Sequence, residues 1–455
     1  MKNNNIYKLT LGILILGITL IMASCELLNP KPTDSITSDD AIKDQNGVNK
    51  AIVGCYSALQ FSTYYGRNYI VMGDIATNNL VWTGTSPDYN QINNNSILAD
   101  NLIVRDIWST IYDGINRVNN VIDKLPDISM SPASKDVAYG ECYFLRGLHH
   151  YNLVRLWGAV PIKTKATTGN LADLQVPRNP ADAVYAQVIS DLTQAEAKLP
   201  DANSTGRATK AAARALLAKV YLNRYNLFTN PADLDYALGY ATQLINDTQF
   251  ALLTDYNNLF KPDANAESIF EVTFNPQDPN SLAVYYFTKL LAGRYEFAPT
   301  DTLINSYETG DLRSVASIAF DGAGSPYGYK YRDMVTSSDR VYVFRLAEMY
   351  LIRAEVNACK QAAISDIQSD INVIRHRAGL TDTDAGTYAT LLLAIEKERK
   401  NEFAFEGQRW FDLTRTDRAI FVLPNVKSKN QYLFPIPQSE LQTNTDPGMI
   451  QNPGY

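Results

Sequence analysis

Apolar positions recur every three to four residues over most of this chain, the spacing that gathers them on one face of an α-helix. The clearest stripe is Ile103, Ile107, Ile111, Ile115, Val118 and Ile122, which ends before Pro126. A second helix is predicted over Ala138 to Trp157, closed by Gly158 and Pro161. Ahead of both, a helix from about Ser38 to Leu59 has Ser38 or Asp39 to cap it. Residues 180–199 are expected to pair with 207–227, and 232–247 forms a helix followed by a turn. Helical order returns from about Val341 to Arg377, with a break near Lys360, and from Thr387 to about Arg415. In that last stretch Glu396 precedes Lys400 by four residues, the favourable order for a helical ion pair, while Phe403, Gly407, Trp410 and Phe411 share a face.

Two regions lose the helical period. Residues 62–100, rich in Tyr, Asn, Gly and Thr, read as a long loop, which is uncommon unless it is functional. Residues 250–335 are mixed, with a strand-like run from Ser268 to Phe274 among Gly and Pro breaks. The tail from Leu423 is rich in Pro and Asn and so mostly extended.

One motif recurs. Gly140 to Arg146, Ala218 to Arg224 and Ala347 to Arg353 share the order small-x-x-Tyr-apolar-x-Arg. A small residue three places before a Tyr lets a neighbouring helix approach while the ring fills the groove. Paired helices stacked by such contacts resemble tetratricopeptide repeats, here unevenly spaced. The fold class is therefore mostly all-α, an irregular array of helix pairs with a loop-rich portion of minor β content. The expected organisation is a signal over 1–24, a tether over 25–37, and a single domain over 38–455. That domain has an N-terminal part of about 38–230 and a C-terminal part of about 260–455.

Composition narrows the function. The 455 residues are 45% hydrophobic with a net charge of -7 and no Lys/Arg block, which argues against nucleic acid as a partner. At the N-terminus, Lys2 and Lys8 precede an apolar run from Leu9 to Met22, and Ala23 and Ser24 stand before Cys25. The run is too short to span a bilayer and has the layout of a secretory signal. A cysteine at its end resembles a bacterial lipoprotein box, so Cys25 is the expected lipidation site and a lipid the membrane anchor. Cys55, Cys142 and Cys359 then remain, an odd number without a CxxC pair, expected as buried thiols.

A search for catalytic chemistry is mostly negative. His149 and His150 are adjacent and cannot share a helix face, His376 stands alone, and HExxH, G-x-S-x-G and Walker motifs are absent. Gly322 to Gly328 mimics a nucleotide loop only loosely and reads as a turn-rich surface loop. No metal and no cofactor are expected. Asp74 and Asp88 are the acids that a glycosidase reading would use.

Aromatic residues say more. Trp108, Trp157 and Trp410 lie on apolar helix faces, but Trp82 falls in the 62–100 stretch among Tyr64, Tyr65, Arg67, Tyr69, Asn78, Asn79 and Tyr89. Aromatic faces stack on sugar rings while Asn and Arg meet ring hydroxyls; the same residues also bind peptides. A second group is Tyr285, Tyr286, Phe287, Arg294 and Tyr295. The ligand-binding candidates are accordingly Tyr65, Arg67, Asn78, Asn79, Trp82, Tyr89, Tyr285, Tyr286, Arg294 and Tyr295. A third group, Tyr327, Tyr329 and Tyr331, alternates as one face of a strand would.

Several stretches together resemble the SusD/RagB family of outer-membrane nutrient-binding lipoproteins. They are Glu398 to Leu413, Arg345 to Glu355, Phe434 to Pro437 with Glu440, the terminal Gln451 to Tyr455, Pro299 to Asp301 with Tyr307, Glu308, Asp311 and Arg313, and Gly73 with Asp74. The resemblance implies four tetratricopeptide-like helix pairs and an irregular ligand-binding portion. It implies a surface-exposed, lipid-anchored protein of the cell outer membrane, working in polysaccharide utilisation as the lid of a SusC-like TonB-dependent barrel. Such a protein captures oligosaccharides for import and does not cleave them. A peptide-binding relative is the alternative, and a glycoside hydrolase on a helical scaffold a third reading.

Overall fold

A computed structural model of the chain describes residues 41–261 and 265–455. The expected signal, the tether and Cys25 lie outside the described residues, as do Ser38 and Asp39. From Asp44 to Tyr455 the chain forms one compact unit. In chain order its main elements begin with α1 (Gln45–Gln60), α2 (Asn68–Ile75), β1 (Leu80–Trp82), α3 (Pro87–Asn93), α4 (Leu102–Lys124) and α5 (Pro132–Trp157). Next come α6 (Ala181–Lys198), α7 (Lys210–Phe228), α8 (Pro231–Ile245), β2 (Ser268–Val272), α9 (Leu282–Tyr286), β3 (Phe297–Pro299), β4 (Ile318–Phe320) and β5 (Pro326–Gly328). β6 (Val341–Arg345), α10 (Leu346–Cys359), α11 (Ile364–Arg377), α12 (Tyr388–Glu402) and α13 (Arg409–Arg415) complete the set. The strands form three two-stranded antiparallel ladders, β1–β3, β2–β6 and β4–β5.

The helices pack as α1 with α4, α5 with α6, α7 with α8 and α10 with α11, and α12 closes on the last pair. The expected pairing of 180–199 with 207–227 is present, since α6 and α7 pack on each other, but each has its principal partner elsewhere. The recurrent motif explains why. Its terminal Arg reaches across to an Asp on the partner helix in every copy. Arg146 binds Asp191 through two contacts of 2.9 and 2.6 Å. Arg224 grips Asp233 in the same way. Arg353 holds Asp370 at 2.9 and 2.6 Å. Each guanidinium also lies 5.2–5.6 Å from the ring centre of its own motif's Tyr. A planar fork meeting a carboxylate in two bonds fixes the relative rotation of the two helices as well as their contact.

Three more expectations change. The helix expected from about Ser38 to Leu59 does not run through residues 42–44; α1 starts at Gln45, where Asp44 caps it by accepting the Gly47 amide at 2.8 Å. Residues 62–100 are no open loop, since α2, β1 and α3 lie within them. The helix expected from Thr387 to Arg415 is broken after Glu402, because Phe405 and Gly407 adopt positive φ (67° and 70°) before α13 begins. Glu396 accordingly pairs with Arg409 and Arg418, at 3.1 and 2.8 Å, while the Lys400 ammonium donates to the Thr302 carbonyl at 2.9 Å.

That broken segment is the hub of a buried charge lattice. Arg345 donates to Glu406 at 2.9 and 3.0 Å, to Glu402 at 2.9 Å and to Glu267 at 2.7 Å. Arg313 bridges Asp311 and Glu398, each at 2.8 Å, and Lys330 meets Glu406 at 2.7 Å. Burial pushes the Glu402 carboxyl up, but Arg377, Arg345 and Arg313 overcome this and hold it down at about 2. Removing any one partner would leave an uncompensated buried charge.

The same segment receives α2. A side chain at Gly73 would sit 2.2 Å from the Gly407 carbonyl oxygen, so the two backbones touch. Asp74 seals the contact by accepting the Gly407 amide at 3.0 Å. At the far end, the tail satisfies the open carbonyls where α5 stops. Phe434 donates its amide to Leu156, and the Asn452 amide group donates to the Trp157 and Phe434 carbonyls at 3.1 and 2.7 Å.

Candidate functional site

β1 and β3 bring the two aromatic groups together. Their register places Trp82 opposite Phe297, and the ladder continues through the Thr83 amide, which donates to the Glu296 carbonyl at 2.9 Å. Thr83 also donates its hydroxyl to the Tyr295 carbonyl. Residues far apart in sequence thereby form one surface: Arg67, Trp82 and Thr83 from one side, Tyr285, Arg294, Tyr295 and Glu296 from the other.

Tyr285 is at its centre. The half-buried ring has the guanidinium carbons of Arg67 and Arg294 at 4.4 and 4.6 Å from its centre, and Phe297 stacks against it at 5.9 Å. Arg67 is oriented by donating to Asn68 Oδ1 at 2.9 Å, and Arg294 by donating to Glu296 at 2.6 Å. The hydrogen bond to Glu296 raises the Arg294 pKa further. Tyr295, half-buried and at φ 53°, anchors its hydroxyl to the Pro326 carbonyl at 2.9 Å.

The other candidates are placed otherwise. Trp82 retains only 9% of its exposure, with its ring between Tyr89 (4.6 Å) and Phe297 (5.1 Å), and Gly84 lies against the indole so closely that a side chain there would clash. Its role is packing. Tyr89 is buried and donates to Asn68 Oδ1 at 2.7 Å; burial pushes its hydroxyl up to about 12. Tyr65 is buried in a cluster with Tyr64 and Tyr69, and its hydroxyl accepts from Asn152 at 2.9 Å. Asn79 is fully buried and donates to Asp74 at 2.8 Å. Tyr286 is also fully buried, against Phe405 and Tyr331. Tyr65, Asn79 and Tyr286 thus present no surface to a ligand and instead hold the site's floor. Asn78 is half-buried, and its carbonyl accepts the Thr300 hydroxyl at 2.6 Å.

Thr83, Glu296 and Phe297 belong to the site without having been singled out beforehand. No pattern marks them, since their place follows from the pairing of two three-residue strands. Asp74 and Asp88 are both committed to structure. Asp74 is buried and bound to Asn79 and the Gly407 amide, and Asp88 accepts the Leu102 amide at 3.0 Å where α4 begins. Among the described residues no cluster of His, Cys, Asp and Glu could hold a metal ion, and no helix is long and apolar enough to cross a membrane.

The site is an open face. Enclosed space lies elsewhere, in a cleft of about 410 Å³ beside Trp108, Tyr112, Lys163 and Glu440, and in one of about 300 Å³ beside Arg155, Phe228, Phe411 and Tyr432. Tyr112 and Lys163 in the first are already tied to backbone carbonyls, and Arg155 in the second is packed on Tyr151 and Phe411.

Comparison with known proteins places the fold in a family. Residues 26–222 match the family described as "Starch-binding associating with outer membrane", and residues 305–425 match the one described as "SusD family". SusD-like protein P2 of Formosa agariphila is 27% identical over 99% of each chain. A SusD superfamily protein of Bacteroides vulgatus superposes with a TM-score of 0.82 at 23% identity, over 91% of this chain and 99% of that one. A laminarin-binding SusD-like protein superposes with a TM-score of 0.78 at 25% identity, over 91% of this chain and all of that one. The chain belongs to the SusD/RagB family.

Proposed function

We propose that this protein is a glycan-binding lipoprotein of the outer membrane that captures oligosaccharides on the face around Tyr285. The observation that carries the reading is the gathering of Arg67, Tyr285, Arg294 and Tyr295 beside the β1–β3 ladder of a SusD/RagB chain, with Trp82 packed beneath. Half-buried aromatic rings stand beside guanidinium N–H donors for sugar oxygens, the pairing of apolar surface and polar groups that saccharide recognition needs. The starch-binding description of the matched family and the laminarin-binding neighbour support a glycan. Lipid on Cys25 would tether the domain, and the helix pairs would dock on a SusC-like TonB-dependent barrel for which the protein acts as lid.

The experiment is titration of the purified soluble domain against a polysaccharide panel, with Tyr285→Ala beside the parent. Binding of one glycan, lost in the variant while thermal stability is kept, is the expected result. Retention of defined oligopeptides and of no glycan would replace this reading with the peptide-binding one.

A further inference from the structure

The charge at the site deepens this reading, on which the following rests. Arg67 and Arg294 stand over the same Tyr285 ring, so their guanidinium carbons are at most 9 Å apart. The ring attracts and orients both cations without neutralising either. Arg294 has Glu296 as a partner, whereas Arg67 has only the neutral Asn68 amide oxygen and the Tyr89 hydroxyl nearby, and no carboxylate of the described residues lies within ion-pair distance of it. Asp321, in the turn beside Tyr295, is the other carboxylate near this face, so Arg67 is the cation at Tyr285 that no carboxylate offsets at contact distance, on a chain whose net charge is -7.

Hydrogen-bonding capacity points the same way. A guanidinium donates and cannot accept. Hydroxyls of a neutral sugar both donate and accept, so a site for them gains from free carboxylates; here Glu296 is taken by Arg294, and Asp321, beside Tyr295, is taken by its own turn's amides. A ligand oxygen that only accepts suits the Arg67 fork far better, and a carboxylate or sulfate matches its planar geometry in two bonds.

We propose that the Tyr285 face selects acidic saccharides, chains carrying a uronate carboxylate or a sulfate ester, with Arg67 as the residue that reads the charge.

The test is calorimetric titration of the purified domain with four probes: oligogalacturonate, a sulfated carrageenan oligosaccharide, a laminari-oligosaccharide and a malto-oligosaccharide, each at low and high NaCl. At least one acidic probe should bind about tenfold or more tightly than either neutral one and weaken by about tenfold at high salt. Arg67→Gln should remove most of that preference at unchanged melting temperature, and Arg67→Lys should restore part of the salt-dependent affinity but not all of it. Which of the two acidic probes binds distinguishes carboxylate from sulfate recognition. Tight, salt-insensitive binding of a neutral probe, or acidic binding indifferent to Arg67→Gln, would overturn the charge selection and leave the glycan reading standing. Binding of none of the four would count against both.

Discussion

The guanidinium carbon of Arg67 lies 4.4 Å from the ring centre of Tyr285, although the two residues come from different halves of the chain. Beside it the Ser281 amide donates to the Gly66 carbonyl at 3.1 Å, joining the two segments, and the contact separates two kinds of aromatic residue at the site: the half-buried ones and those that build the floor.

Trp82 belongs mostly to the floor. Trp82→Ala should cost about 3–5 kcal/mol of stability, the range for removing a buried large aromatic side chain, because Tyr89 and Phe297 both lose their packing partner. Tyr285→Ala, at a half-buried position, should cost much less and act on binding instead. Chemical denaturation of the two variants, alongside titration with a bound glycan, checks the division.

The motif clamps make a second prediction. Arg146 and Asp191 have side chains 6% and 0% exposed, so each is a charge held in the interior by its partner. Asp191→Ala should destabilise the fold by about 3–5 kcal/mol, and replacing Arg146 with Met in the same chain should recover a good part of the loss. A double-mutant cycle by urea unfolding measures this directly.

Gly73→Ala tests the seam between α2 and the lattice segment. A methyl group there meets backbone rather than a movable side chain. Backbone must shift to admit it, at a cost of about 3 kcal/mol or more. Measured soluble yield and melting temperature should both fall, while Gly54→Ala, half-buried inside α1 with nothing within 4 Å of the added methyl, should hold or slightly raise them.

Two buried histidines lower stability as the medium is acidified from pH 6.5, and two carboxyls raised by burial, Asp74 (about 7) and Asp339 (about 6), offset them down to about pH 4. Burial holds His149 and His150 neutral, lowering them from the usual 6.5 to about 3 and about 4. The unfolded chain takes up two protons that the folded chain refuses, and each contributes a slope of about 1.4 kcal/mol per pH unit. Asp74 acts with the opposite sign. Burial raises it from 3.8 to about 7, so between those values the folded chain keeps a proton that the unfolded chain has released, and stability from this group falls as pH rises. Asp74→Asn should therefore steepen the loss on acidification between pH 6.5 and 4. Below about 4.5 the lattice joins in. Burial raises both Glu402 and Asp412, but neighbouring guanidiniums win and hold each at about 2, so the stability they supply is lost as pH falls toward that value. Melting temperature against pH for the parent and Asp74→Asn is the check.

Much of the fold was legible in advance. The stripe from Ile103 to Ile122 became α4, and the three Tyr–Arg motifs marked the first helix of three pairs. What stayed hidden has physical reasons. All eight residues of α2 are buried, so that helix has no polar face and shows no period. The break after Glu402 is set by two positive-φ residues inside a pattern that otherwise reads as helical. On the candidate face, Arg67, Tyr285, Arg294 and Tyr295 come from a larger set of aromatic and polar residues that the sequence pattern names. Tyr65, Asn79 and Tyr286 have the same chemistry but point into the core, a distinction that depends on packing and not on residue type.

Hydrogen–deuterium exchange with and without a bound oligosaccharide tests the central claim most directly, since it locates the ligand without a mutation. The account predicts protection over residues 66–69, 82–86 and 284–297, with no change around the cleft beside Trp108 and Lys163. Protection confined to residues 108–119 and 161–176, with the Tyr285 face exchanging as before, would contradict it.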